Sequence, residues 1–217
     1  MTEQLIAEQL VAAQIPYWVA VLTPEERTFG RRRTDPRIDT VDVSDITSTR
    51  TQWAGREHPS ANTLLTVLAA TVGAWQSDRC HSCTSGALID VESATGSVFP
   101  VRLPTSGSTS VLIEEVRRRV SAAPNGGIDF AFAKYVENSP ALARKPGAQI
   151  AFQFGAGRAM PDESAPLRHN LTVTCEIVDV DGVTMVDTEF RWNSRVFTRS
   201  DVDDFERFWE KTISAFV

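Results

Sequence analysis

Two alternating runs near the end of the chain limit its architecture more than any other feature. Asn170 to Val178 and Thr184 to Trp192 carry apolar residues at alternate positions, and the connection DVDGV (Asp179 to Val183) contains the Asp-Gly pair that hairpins favour. An antiparallel pair with one apolar face needs a covering layer, and the following residues supply one. Val202, Phe205, Trp209, Ile213 and Phe216 lie on one helix face, and Ser200 with Asp203 three residues on resembles a capping box. The expectation is an α/β fold: a mixed sheet with packed helices.

Earlier segments fit that frame. Leu5, Ile6, Leu10 and Val11 share a helical face within residues 2 to 14, a run that Pro16 is expected to end. Residues 23 to 39 are polar and aperiodic, which reads as an exposed loop, with Arg31, Arg32 and Arg33 as its solvated surface. Thr40 to Ile46 alternates like a short strand. Ser60 is the expected N-cap of a central helix over 61 to 76, striped by Leu64, Leu65, Leu68, Val72 and Trp75. Strands are expected over Ala87 to Val91 and Val98 to Leu103, the second tolerating Pro100 only near an edge or bulge. A helix over 109 to 122 ends at Pro124, where Asn125, Gly126 and Gly127 permit backbone angles that side chains disfavour. A further helix over 129 to 137, a strand over Ile150 to Phe154 and a long crossover over 155 to 169 lead into the hairpin.

At 217 residues the chain fits a single unit with one sizeable core. A net charge of -6 argues against a nucleic-acid partner, since binding phosphates leans on clustered Lys and Arg. No window is long and apolar enough to span a bilayer, and residues 1 to 14 lack a basic end followed by an apolar run, so neither a membrane nor an export signal is expected. Three cysteines, Cys80, Cys83 and Cys175, do not make a disulfide framework, and a reducing cytoplasm fits them. Cys80 and Cys83 flank His81 at metal-like spacing, but the set is one ligand short of a zinc site and reads as an incidental loop pair.

His58, His81 and His169 stand in no local catalytic motif and read as structural or solvated. Phosphate-cradling glycine loops are absent. Glu92 stands just past a buried strand end, where α/β sheets bind ligands and a partly desolvated carboxylate can move a proton. Position alone leaves it a surface loop glutamate before a catalytic one.

Several stretches in order resemble the condensation and epimerisation domains of nonribosomal peptide synthetases, enzymes of antibiotic biosynthesis. QIPYWVAVL (Gln14 to Leu22) is similar to the segment joining the two halves of such a domain. TLLTVLAATVGAW resembles the helix after it, ALIDVE the strand leading to an EGHGR motif, and SVFPVRL an FPV-type strand. APNGGIDFAFAKY, QIAFQFG and the closing hairpin with its helix complete the series. The resemblance implies a chloramphenicol-acetyltransferase-like two-layer sandwich spanning 1–217, with residues 1–22 as opening helix and linker and 23–217 as core.

In that family two such halves meet in a V, and the phosphopantetheine arms of carrier proteins bring aminoacyl or peptidyl thioesters into the cleft. Condensation depends on an HHxxxDG motif in the N-terminal half, and no adjacent histidine pair exists here. The resemblance therefore implies a C-terminal half that supplies one wall of the cleft, inactive alone and with no bound cofactor of its own. The implied partners are an aminoacyl or peptidyl carrier protein and an N-terminal half or another synthetase component. Glu92 matches the glutamate thought to move the α-proton, although Ser93, Ala94, Thr95 and Gly96 replace the rest of the motif. Gln153 and Phe154 stand where an FNY-type strand has asparagine and tyrosine, so the hydroxyl is lost. The alternatives are a stand-alone homodimer using Glu92 as acid/base and a non-catalytic accessory protein that binds a synthetase.

Overall fold

The computed structural model describes residues 2–55, 57–79, 81, 85–93, 95–136, 139–155 and 162–216. In chain order these form α1 (Thr2–Val21), β1 (Ser44–Gln52), α2 (Ala61–Asp78), β2 (Ala87–Glu92), β3 (Val98–Leu103), α3 (Thr109–Ser121), α4 (Pro140–Ala143), β4 (Ile150–Phe154), β5 (Leu171–Val180), β6 (Val183–Asn193) and α5 (Arg199–Ala215). The six strands make one mixed sheet in the order β1-β6-β5-β4-β2-β3. Strand β4 runs parallel to both neighbours, β2 and β5, while the outer pairs are antiparallel. Among the described residues no helix is long and apolar enough to cross a membrane.

Pairing register explains how the sheet is covered. Ile89, Ile150, Leu171 and Trp192 lie in register across β2, β4, β5 and β6, as do Val91 and Phe152, and all are buried. On this face α5 brings Phe205 and Trp209 edge-on to Phe190, with ring centroids 6.0 and 5.9 Å away. Trp75 of α2 joins the same aromatic cluster through Phe205 and Phe197. In β5 only alternate residues, Leu171, Val173 and Cys175, are buried, so its other face is open. In β2 and β4 successive residues are buried, because a second layer covers that end of the sheet. There α1 sets Trp18 against Phe99 and Phe130, and Arg102 of β3 donates to the carbonyls of Val21 and Pro24.

The hairpin turn is the expected one, with Asp181 and Gly182 both at positive φ. Pro100 lies in β3, an edge strand, where the sheet tolerates its missing donor. Gly127 has φ +81°, and a Cβ there would sit 2.1 Å from the Phe99 ring, so this hinge needs glycine on both counts.

Several expectations are corrected. Pro16 does not end α1, which runs on to Val21 with the proline inside it; burial of Trp18 and Leu22 carries the helix past a residue that lacks a donor. Val41 and Val43 form a 3₁₀ turn, and the strand lies over the mostly polar Ser44–Gln52, which suits an edge strand with few buried positions. The capping box of α5 is Thr198 with Asp201, two residues earlier than expected, fixed by the buried Phe197 before the cap and the buried Val202 after it. The segment over 129 to 137 gives only a short helical turn passing into a π-turn over Phe132–Val136, and a separate helix forms at Pro140–Ala143.

The largest correction concerns residues 23 to 39, which keep many exposed positions but are pinned as a plug through the buried Phe29 and Asp39. They close the end of the sheet where β2, β4 and β5 begin. Phe29 is buried, and its N–H donates to the side-chain carbonyl of Gln149, whose amide donates to the carbonyl of Arg27. Asn170 accepts from the Thr34 N–H and donates to the carbonyls of Phe29 and Arg32. Glu26 accepts from the N–H of Leu88, and burial raises its pKa against the pull of that bond, Arg102 and Arg33. Arg32 forks onto the fully buried Asp39 at 2.5 and 2.7 Å and, with further help from the Asp35 N–H, holds its carboxyl down at about 2. Arg33 likewise donates to the carbonyls of Gly147 and Glu26, so two of the three arginines are fastened down.

Candidate functional site

The opposite end of the sheet, where β2 and β4 finish, is open. Because these strands are parallel, with Val91 opposite Phe152, both finish at this edge, β2 at Glu92 and β4 at Phe154, the position where ligands bind in open α/β sheets. The first turn of α2 and the last turn of α3 flank them and leave a cleft of about 360 Å³. Its lining is apolar through Leu65, Val91, Val120, Phe152 and Phe154, and polar through Asn62, Glu92 and Ser93. Two sequence features place these groups. Ser60 caps α2 by accepting from the Thr63 N–H, which puts Ala61 and Asn62 at the mouth. Ser93 turns the chain after β2, its N–H bonded to the carbonyl of Ser97, so Glu92 is the last residue on the strand. Glu92 is the one ionisable side chain in the lining among the described residues.

Of the three residues singled out in the sequence, Glu92 and Phe154 share this cleft and Gln153 does not. Alternation along β4 puts Gln153, between Phe152 and Phe154, on the other face of the sheet, where it accepts from the Thr174 hydroxyl at 3.3 Å. Phe154 is substantially exposed for so large an apolar side chain. Cys80 and Cys83 lie outside the described residues, while Cys175 is buried in the sheet, its thiol pushed up to about 12 by desolvation. Among the described residues no group of three or more His, Cys, Asp or Glu could hold a metal ion.

The structure also assembles a cluster that the sequence reading passed over. His169 Nε2 lies 2.8 Å from Asp90 Oδ2, with both side chains largely buried on the sheet face opposite the cleft floor. Lys134 sits beside them over the rings of Phe130 and Tyr135, and burial lowers its pKa although Asp90 opposes this. Burial and the charge of Asp90 together raise that of Tyr135. The signal in the sequence is Asp90 itself, a carboxylate between Ile89 and Val91 in an otherwise apolar strand. Its partner is 79 residues away, beyond reach of any local pattern.

No protein-family model matches the sequence, and no curated protein matches it. Solved structures do match. The epimerization domain from the third module of tyrocidine synthetase B aligns with a TM-score of 0.71 at 15% identity, over 96% of this chain and 55% of that one. The starter condensation domain of rhizomide synthetase gives 0.67 at 9% identity, over 99% of this chain and 53% of that one. A chloramphenicol acetyltransferase gives 0.51 at 11% identity, over 82% of this chain and 91% of that one. The chain has the fold these proteins share, and it spans about half the length of the epimerization and condensation chains.

Proposed function

We propose that this chain acts in nonribosomal peptide biosynthesis as the C-terminal half of a condensation- or epimerisation-type domain. It supplies one wall of the cleft that receives aminoacyl or peptidyl thioesters on the phosphopantetheine arm of a carrier protein. The observation carrying this reading is the open end of the parallel pair β2 and β4, where Glu92, Asn62 and Ser93 join apolar side chains in lining a cleft within a fold matched along nearly its whole length. The other half of the cleft comes from an N-terminal half or another synthetase component.

The same lining argues that the chain is inactive alone. Inverting an α-carbon needs a proton removed on one face and returned on the other, and one carboxylate serves only one face. Phe154 offers no hydroxyl as a second donor, and no other ionisable group lines the cleft among the described residues. The test offers the isolated chain an aminoacyl-loaded carrier protein in deuterated buffer. Calorimetry is expected to show binding, and mass spectrometry no exchange of the α-proton. Absence of binding overturns the reading, and exchange abolished by Glu92→Gln overturns the inactivity.

A second reading, a stand-alone homodimer that builds its cleft from two copies with Glu92 as acid/base, draws support from the chloramphenicol acetyltransferase match. There a fold of this size accounts for 91% of a whole chain. It predicts a dimer by light scattering and α-proton exchange without any added half.

A further inference from the structure

We propose that Lys134 is a nucleophilic amine that forms a reversible imine with a small 2-oxo acid, in a site built by the π-turn, the plug and the sheet face opposite the cleft. The site is separate from the cleft and does not depend on the functional reading above.

Three observations carry it. Only three of the chain's 22 basic residues are lysines, and this one is buried, 6% exposed. Arginine stays charged in any protein setting, whereas a buried lysine can give up its proton and become a nucleophile. The second observation is that the fold gives this ammonium no bond. Among the described residues it meets the rings of Phe130 and Tyr135, 5.7 and 5.6 Å from their centroids, and no carboxylate pairs with it. Asp90 attracts it only through space, while Asp90 Oδ1 is itself buried without a hydrogen-bond partner. Arg33 adds a cation nearby: its Nη1 donates to the carbonyl of Gly147, and a Cβ on Gly147 would lie 3.7 Å from Lys134 Nζ. Burial and this guanidinium both favour the neutral amine. The third is the proton carrier beside it. Asp90 accepts from His169 Nε2 at 2.8 Å, which leaves Nδ1 as the basic nitrogen of the neutral ring.

The neutral amine adds to the carbonyl carbon of the ligand, and the C=O electron pair moves onto oxygen. A proton passes from nitrogen to that oxygen to give a carbinolamine, and loss of water leaves the C=N bond; hydrolysis runs the same steps backwards. His169 carries the protons. The carboxylate of the ligand is selected by charge. Arg33, with guanidinium donors left after the Gly147 and Glu26 carbonyls, and Arg168, whose charge acts on Tyr135, outnumber Asp90 once Lys134 is neutral.

The test incubates the intact chain with glyoxylate or pyruvate and sodium cyanoborohydride, which reduces an imine to a stable secondary amine, and locates adducts by peptide mass spectrometry. The more exposed Lys145 and Lys211 are internal references. At neutral pH Lys134 is expected to react at least about tenfold faster than either, since each unit of pKa depression raises the neutral fraction about tenfold. Its labelling should reach half its maximum at lower pH than theirs. The ratio of Lys134 to Lys211 labelling should be at least about threefold higher with glyoxylate than with acetaldehyde, which lacks the carboxylate. His169→Gln should lower the maximal rate at Lys134 and keep its pH midpoint. Asp90→Asn should lower the rate and also move the midpoint to lower pH, because the anion favouring the ammonium is gone.

Labelling of Lys134 no faster than Lys211 in the folded parent chain overturns the proposal, as does a preference for Lys134 that survives in urea, where the site no longer exists. Equal ratios with glyoxylate and acetaldehyde overturn the 2-oxo acid as ligand. These outcomes are read on the parent chain, so they hold whether or not each variant folds; circular dichroism establishes folding of the two variants.

Discussion

The two ends of the sheet are built from similar residues and treated in opposite ways. Where β2, β4 and β5 begin, polar side chains are buried and answered: Gln149, Asn170 and Asp39 meet backbone groups or a guanidinium from the 23 to 39 plug. Where β2 and β4 finish, Glu92 and Asn62 stand at the rim of a cleft with apolar walls. A buried polar group left without partners costs about 1–3 kcal/mol, so the first arrangement is a structural lock. The second leaves polar groups facing a space that another molecule can occupy. The contrast is one of access: polar groups at one end are sealed under the plug, and those at the other line an open cleft.

Substitutions sharpen this contrast. The largest expected effect is at Asn170→Ala, which strands the Thr34 N–H and the carbonyls of Phe29 and Arg32, and should cost about 3–5 kcal/mol in urea unfolding. Asp39→Ala should cost about 3 kcal/mol, the lower end for a broken buried pair because Arg32 keeps some contact with water. At the open end, Glu92→Gln and Phe154→Leu should each stay within about 0.5 kcal/mol of the parent chain. A loss of several kcal/mol at Glu92 would break the comparison by showing that the open end is a lock as well.

Acid titration separates the two carboxyls of the sealed end. The folded pKa of Asp39, about 2, is depressed below its unfolded value, so its contribution is present above about pH 4 and is lost as pH falls through about 2. Glu26 has a raised folded pKa, so it favours the fold most when protonated and loses that contribution as pH rises through its folded value. Stability of the parent chain should therefore fall between about pH 4 and 2, and Asp39→Asn should flatten that limb while leaving the Glu26 slope in place.

What the sequence made legible was local. The hairpin, the Ser60 cap and the glycine hinge each rest on a few adjacent residues, and each is where expected. Errors arose where two local readings were equally good. Thr198 with Asp201 and Ser200 with Asp203 both satisfy a capping pattern, and only the burial of Phe197 and Val202 chooses between them. Val41 and Val43 looked like a strand because β1 itself buries so little. The plug and the Asp90–His169 pair were illegible for a different reason, since their partners come from distant parts of the chain. For the cleft, sequence placed Glu92 and Phe154 at strand ends, but the parallel pairing that brings both strand ends to one edge is a property of the folded sheet.

Pro100 gives the sheet a polarity of growth. Strand β3 lacks a donor at that residue, whereas β1, at the far edge, is nine residues long and contains no proline. Proline on an edge strand removes a donor that an incoming strand would need, so β3 is the better guarded of the two edges and β1 the one more open to strand addition.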